Sequence, residues 1–555
     1  MKRIQFGSSH PVPTDAPRHG ASDSVRRRGR PRRARGRGMA LLTVLGLAGA
    51  LAVPAAADVR PDDVEPGGGP AAQVEWGPCP ADVAAEAAPY VLTCAKVPVP
   101  LDYSHPDGEQ IELQVSRLAS DNPAKRRGVL LLNPGGPGGS GLAQSSLLMS
   151  RGLPDTVLDA YDLIGMDTRG VGHSTRIDCE FTIGGDYFGN VPPYAVDDAA
   201  VVQRAEVVEA AAEQCAANDG NGLLRHVSTA NMARDLDSVR AALGEEKASF
   251  LGYSYGSALG AAYASMFPET VDRVVLDSNV GDTHLDQEGL RRFAQGVEQT
   301  FPDFARWAAK RHTAYGLGRT PAQVRAHYFE TAERLDRNPV QGVDGSLFRQ
   351  VVFGGLYSEL TYGRTAQTWQ SLLDGDASGA QSLLDATLLD GVLSDGVAAT
   401  AAAQDGVAAD EVSPLSNALS VFIASTCNDS EWPEDVNAYR QAVAEDRKKF
   451  PMFGAASANI LPCAYWSEPV EPPVQIADEG PHSVLILQNR RDPVTPLAGG
   501  ERLHEKFGDR SRLVTVDGSG HGVYALGTNA CALNVGTTFL VEGEMPKRDV
   551  SCRAG

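Results

Sequence analysis

Hydrophobic positions along the chain fall into two regimes. From about Ile111 to Asp277, short apolar runs alternate with stretches whose apolar residues recur at helical spacing, whereas residues 281–478 lack the strand-like runs. Ile111, Leu113 and Val115 alternate with polar neighbours after a proline-containing turn, the period of a half-buried strand, and predict a strand pair at a sheet edge. Gly128-Val129-Leu130-Leu131-Leu132 is apolar without a break, which suits a strand covered on both faces of a parallel sheet. Strand-like runs recur at Tyr161–Asp167, Ala248–Leu251 and Val271–Leu276. Between them, Met232, Leu236, Val239 and Leu243 repeat at the spacing of one helix face, with Asp235 and Asp237 on the polar side and Gly244 as a stop. This alternation predicts an α/β fold with a mostly parallel, doubly wound central sheet.

The second regime reads as helical. Thr320-Pro321-Ala322-Gln323 forms a capping box with proline at the first helical position, and amphipathic runs lie near 290–310, 365–389 and 413–425. A segment as long as 281–478 cannot be a loop, so it predicts a largely helical cap inserted into the sheet domain. Strand signals return at Ser483–Leu487 and Arg512–Val516.

Charge and the N-terminus add a compartment. The total of −20 is uneven, because residues 1–57 carry a net +9 and leave −29 on the remainder. A surface that acidic repels phosphate backbones and anionic lipid, which argues against nucleic-acid and membrane-surface partners. The basic run Arg26–Arg37 precedes an apolar stretch from Met39 to Val53 and the small residues Ala55-Ala56-Ala57, the order of an export signal cleaved near Ala57. The apolar stretch is short for a bilayer span, so a secreted protein without stable membrane insertion is expected. The expected divisions are an export signal over 1–57, a linker or pro-segment over 58–75, the two parts of an α/β core over 76–280 and 479–555, and the cap over 281–478. Nothing in the sequence sets an oligomeric state.

Eight cysteines follow the signal: Cys79, Cys94, Cys179, Cys215, Cys427, Cys463, Cys531 and Cys552. None has the spacing of a zinc knuckle, and no metal or other cofactor is implied. An even count in an exported protein favours disulfides, and short loops favour pairing each cysteine with its sequence neighbour.

The chemistry centres on Phe250–Gly260, which places Ser254 between Gly252 and Gly256 in the pattern Gly-x-Ser-x-Gly, after a strand and before a helix rich in small residues. A serine on so sharp a turn needs glycines two residues either side to avoid collision with the strand and the helix. The loop Asn133-Pro-Gly-Gly-Pro-Gly-Gly-Ser-Gly141, at the end of another central strand, leaves backbone N–H groups free to face a reacting carbonyl. No Lys-Ser/Thr follows its glycines, as a phosphate-binding loop would require. The two late strands lead into Asp492 and His521, so nucleophile, acid and base appear in the chain order of an α/β-hydrolase. An imidazole must take the serine proton and a carboxylate must hold the imidazole tautomer. Asp277 also ends a strand and competes as the acid, Asp517 lies too near His521 along one turn, and His173 sits in a glycine-rich loop ahead of the nucleophile.

Asn133–Gly141, Asp167-Thr-Arg-Gly-Val-Gly-His-Ser174, Gly252-Tyr-Ser-Tyr-Gly256, Arg491-Asp-Pro-Val-Thr-Pro496 and Gly520-His-Gly522 together resemble the secreted bacterial tripeptidyl aminopeptidases, relatives of the proline iminopeptidases. The resemblance covers about residues 75–552 and implies an α/β-hydrolase fold and removal of short peptides, tripeptides above all, from free N-termini. By the same match the Gly136 and Tyr255 N–H groups would form the oxyanion hole. Proline stands at Pro134 where the prolyl iminopeptidase loop has histidine, which weakens release of single prolines as a function. An aminopeptidase must also hold an ammonium group, and Asp429 and Glu431, beside Cys427, are the candidate carboxylates. A carboxylesterase or lipase-like hydrolase could use the same three residues.

Overall fold

The computed structural model describes residues 74–182, 185–187, 189–380 and 413–554; the expected export signal and most of the expected linker lie outside them, as does the end of the run predicted at 365–389. Ten strands form one sheet: β1 (Gly77–Pro78), β2 (Thr93–Pro100), β3 (Gln110–Leu118), β4 (Gly128–Asn133), β5 (Tyr161–Met166), β6 (Ala248–Tyr253), β7 (Val271–Asp277), β8 (Val484–Arg491), β9 (Ser511–Ser519) and β10 (Val550–Cys552). Their order is β1-β2-β3-β5-β4-β6-β7-β8-β9-β10. The pairs β1/β2, β2/β3 and β3/β5 are antiparallel, which gives the edge pair expected around Ile111, and every pairing from β5 through β10 is parallel.

The apolar runs are continuous because both faces of the central strands are covered. Successive residues divide between two cores: Val129, Leu131, Phe250, Val274, Leu276 and Ile486 face one, while Leu130, Leu132, Leu251, Val275, Leu485 and Leu487 face the other. Helices Thr229–Ala242, Tyr255–Met266 and Leu497–Phe507 cover the first face, and Asp155–Ala160 and Ala530–Glu542 cover the second.

Helix Thr229–Ala242 departs from expectation at Asp235, which is fully buried instead of lying on a solvated face. Its carboxylate takes Arg169 Nε and Nη2, each at 2.7 Å. Arg169, equally buried, also donates to the carbonyls of Pro100 at 3.1 Å and Leu101 at 3.0 Å, so this ion pair ties the loop after β5 to a helix and to β2.

Between β7 and β8 the described residues hold helices Gln287–Lys310, Pro321–Arg337, Gly345–Gly355, Tyr362–Leu373, Pro414–Asp429 and Val436–Lys449. Thr320 caps as its sequence predicts, its Oγ1 accepting the Gln323 N–H at 3.2 Å, while Gln323 Oε1 accepts the Arg319 N–H at 2.8 Å. The first four of these helices have a core of their own, centred on Phe301, Phe304, Tyr328, Phe348 and Trp369, whereas Leu419, Val421, Tyr439 and Val443 of the last two join the core on the first face of the sheet. Helix Asp198–Ala217, from the segment between β5 and β6, packs on Val436–Lys449 and was not anticipated: its alanines and valines give a weakly amphipathic face. Disulfides join Cys79–Cys94, Cys179–Cys215, Cys427–Cys463 and Cys531–Cys552, each cysteine with its sequence neighbour.

Candidate active site

Ser254 sits between β6 and helix Tyr255–Met266 with φ 55° and ψ −121°, a conformation that costs a non-glycine residue on the order of 1–3 kcal/mol. The surroundings impose it. A Cβ on Gly256 would lie 2.8 Å from Asn133 Oδ1 and 2.9 Å from Asn133 O, and one on Gly252 would meet Phe250 at 2.6 Å, so strand and helix close on the elbow only over hydrogen atoms. The Ser254 N–H donates to Asp277 O at 2.9 Å, which pins the elbow to the end of β7.

His521 follows β9. Its Nδ1 lies 2.9 Å from Asp492 Oδ2 and 3.1 Å from Oδ1, and Asp492 is fully buried. Three further donors fix that carboxylate: the N–H groups of Val494 at 2.9 Å and Thr495 at 2.8 Å, and Thr495 Oγ1 at 2.9 Å. A side chain that accepts this many donors takes the Nδ1–H as well and so sets the tautomer in which Nε2 is the basic nitrogen.

The competing residues have other partners. The Asp277 carboxylate takes the N–H groups of Tyr524 at 2.6 Å and Val523 at 3.0 Å and the Ser278 hydroxyl at 2.9 Å; burial pushes it up to about 7. It therefore secures the loop that carries His521, while Asp492 holds the ring. Tyr253 OH adds a bond to Tyr524 O at 2.6 Å, so elbow and histidine loop are stitched together through β7. Asp517 pairs with Arg491 Nη1 at 2.7 Å on an exposed face, and His173 Nε2 lies 2.8 Å from Asp82.

The glycine-rich loop lies against the elbow. A Cβ on Gly135 would stand 2.5 Å from Tyr253 O, 3.0 Å from Ser254 Cβ and 3.3 Å from Tyr255 N, and Gly135, Gly136 and Gly138 all have φ above +100°. The Gly135 N–H donates to Asn133 Oδ1 at 3.0 Å. Tyr255 opens its helix, where an N–H has no partner one turn back.

The buried Tyr255 side chain leads to a polar network. Its hydroxyl bonds Thr229 Oγ1 and lies 3.0 Å from Ser425 Oγ. Asp429 completes it, accepting the Thr229 N–H at 2.7 Å and Thr229 Oγ1 at 2.6 Å. Burial raises the Asp429 carboxyl to about 7, and among the described residues no Lys, Arg or His pairs with it. It lines a small cavity with Ser228, Thr229, His284, Asn428 and Glu471, with room for one water-sized group. The Glu471 carboxylate is already held by Arg234 through bonds of 2.6 and 2.8 Å. Glu431 lies two residues beyond Asp429 and is exposed.

The helical insertion reaches all three loops. Tyr357 O accepts the His521 N–H at 2.8 Å, Gly296 leaves room for Asp492 O, which a Cβ would approach to 2.6 Å, and Gly138 does the same for Ala418 O at 2.6 Å. Sequence reasoning missed Tyr357, Thr229 and Ser425. No local pattern marks them, because each works through a partner far along the chain.

A family model of the alpha/beta hydrolase fold matches residues 128–528. A tripeptidyl aminopeptidase of Streptomyces lividans is 34% identical, over 95% of this chain and 98% of its own length. The serine protease Hip1 of Mycobacterium tuberculosis is 29% identical over 86% of this chain and 91% of its own, and a carboxylesterase B of the same species is 32% identical over 87% and 90%.

Proposed function

The chain belongs to the alpha/beta hydrolase family and, within it, to the family of the tripeptidyl aminopeptidases; from that premise we propose a serine exopeptidase that releases tripeptides from free N-termini, with Ser254 as nucleophile, His521 as base and Asp492 as the acid behind it. The observation that carries the assignment is His521 Nδ1 held 2.9 Å from a buried Asp492 while Ser254 occupies a strained elbow. His521 Nε2 takes the Ser254 proton as Oγ adds to the scissile carbonyl, then returns it to the leaving amine. Water repeats the cycle on the acyl-enzyme. The Gly136 and Tyr255 N–H groups are the proposed donors to the developing oxyanion.

Exopeptidase action needs a counter-charge for the substrate ammonium. Asp429 supplies it in this reading: a buried carboxylate with no cation paired to it among the described residues, on a cavity the size of one –NH3+ group, and linked to the Tyr255 hydroxyl through Thr229 Oγ1. Glu431, exposed, is the alternative. The substrates are thus peptides with a free N-terminus. Four disulfides support an oxidising compartment, and the basic-then-apolar N-terminus supports export with cleavage near Ala57. Among the described residues no helix is long and apolar enough to cross a membrane. In the division into a core over 76–280 and 479–555 and a cap over 281–478, the separate aromatic core of helices Gln287–Lys310 to Tyr362–Leu373 supports a cap, while helices Pro414–Asp429 and Val436–Lys449 of the same segment pack into the sheet core.

The carboxylesterase relative favours ester hydrolysis as a second reading. A panel of tripeptide-aminocoumarin amides and acyl esters, run on the wild type and on Ser254→Ala, separates the two. Turnover of amides that vanishes in the variant supports the peptidase; turnover of esters alone replaces it with the esterase, and amide turnover retained by Ser254→Ala refutes the nucleophile.

A further inference from the structure

We propose that Asp167 is the positioning residue of the oxyanion loop, fixing the end of Asn133–Gly141 so that the Gly136 N–H stays aimed at the reacting carbonyl oxygen. The inference rests on the reading of that loop as the oxyanion hole. Glycines with positive φ at 135, 136 and 138 can leave that conformation at little steric cost, so the contacts at the two ends of the loop bear on where its N–H groups point. Its start is fixed by Asn133, whose Oδ1 accepts the Gly135 N–H at 3.0 Å and lies against Gly256. Its other end is fixed by Asp167, where Oδ1 accepts the Ser140 hydroxyl at 2.6 Å and the Gly141 N–H at 3.2 Å.

Asp167 is itself immobile. It follows β5 directly, is fully buried, and its Oδ2 accepts the His173 N–H at 2.8 Å. Gly172 has φ +50°, and a Cβ there would sit 3.1 Å from Asp167 Cγ, so the 170–174 turn is shaped around the carboxylate. Burying a carboxylate is expensive, and a neutral side chain could close a loop at less expense. Burial raises the pKa of this carboxyl, and what it supplies to the loop is two acceptor oxygens, one for the Ser140 hydroxyl and the Gly141 N–H and one for the His173 N–H. Those bonds bear on a loop whose donors act only when placed to within a fraction of an ångström.

Asp167→Asn tests this. Its amide must turn an NH2 toward either the Ser140 and Gly141 donors or the His173 N–H, so one anchor is lost while the volume is kept. With a tripeptide-aminocoumarin amide, kcat is expected to fall on the order of 10- to 100-fold, less than the roughly 100- to 1,000-fold typical of deleting an oxyanion donor outright, with KM within about threefold. Inhibition by a tripeptide aldehyde, whose hemiacetal carries the oxyanion, should weaken by the same factor while inhibition by the product tripeptide is unchanged. Equal loss in aldehyde and product binding, or unchanged kcat, overturns the proposal. Ser140→Ala, which removes one hydroxyl, keeps the test alive if Asp167→Asn does not fold: it should show a smaller drop of the same kind, and wild-type kcat and aldehyde affinity there overturn the proposal too. Failure of the Ser254 assignment would appear separately, as turnover retained by Ser254→Ala.

Discussion

Asp277 accepts the backbone N–H of Tyr524 at 2.6 Å, and through that bond the strand next to the elbow holds the loop that presents His521, the proposed base. Asp277→Asn should therefore misplace His521 without removing its acid. We expect kcat to fall roughly 10-fold, against about 10,000-fold for Asp492→Asn, which presents the wrong group to Nδ1. Equal losses in steady-state kinetics of the two variants would falsify the division of labour between these carboxylates.

The same residue sets a pH dependence of stability. Its folded pKa, about 7, lies above the unfolded value near 3.9, so the native state favours the protonated form. Stability contributed by that protonated form is complete below the unfolded pKa and is lost as pH rises toward and through 7. Thermal melts of the wild type should show Tm falling from pH 5 to 8, and Asp277→Asn should flatten the slope. An unchanged slope in the variant rejects the assignment of the effect to Asp277.

Substrate binding should follow Asp429. Its carboxyl ionises near 7, while a substrate α-amino group loses its proton near 7.7–8.0, so KM for free peptides should fall as pH rises through 7 and climb again above about 8. Asp429→Asn should raise KM roughly 10-fold or more and remove the lower limb. Nα-acetylated substrates should be poor in both proteins; efficient cleavage of them by the wild type would remove the ammonium anchor and the aminopeptidase reading together.

Elbow sterics give a sharper test. Gly256→Ala places a methyl group against both oxygens of Asn133, and neither the strand backbone nor the side chain that anchors the glycine loop can retreat. We expect poor folding or, in material that folds, kcat lowered by more than 100-fold, a penalty like that of deleting an oxyanion donor. Gly220→Ala, where nothing lies within 4 Å, is the matched control and should keep wild-type activity.

The proposed triad was legible because each member sits where a buried strand ends, and buried strands declare themselves by unbroken apolar runs such as Val129–Leu132. Capping at Thr320 was legible for the same local reason. The network beneath Tyr255 was not: Asp429 and Thr229 are two hundred residues apart and meet only after the insertion folds back over the sheet. Asp235 misled because a carboxylate on a helix looks solvated until its partner, Arg169, arrives from another loop.

Two of the disulfides stand at opposite margins of the sheet. Cys79–Cys94 joins the residue after β1 to β2, and Cys531–Cys552 joins β10 to helix Ala530–Glu542. The outermost strands are only two and three residues long, too short to hold by ladder bonds alone. Covalent clasps keep them in register, which shields the longer strands inside from pairing with other chains and denies a neighbouring protease the frayed ends at which nicking begins.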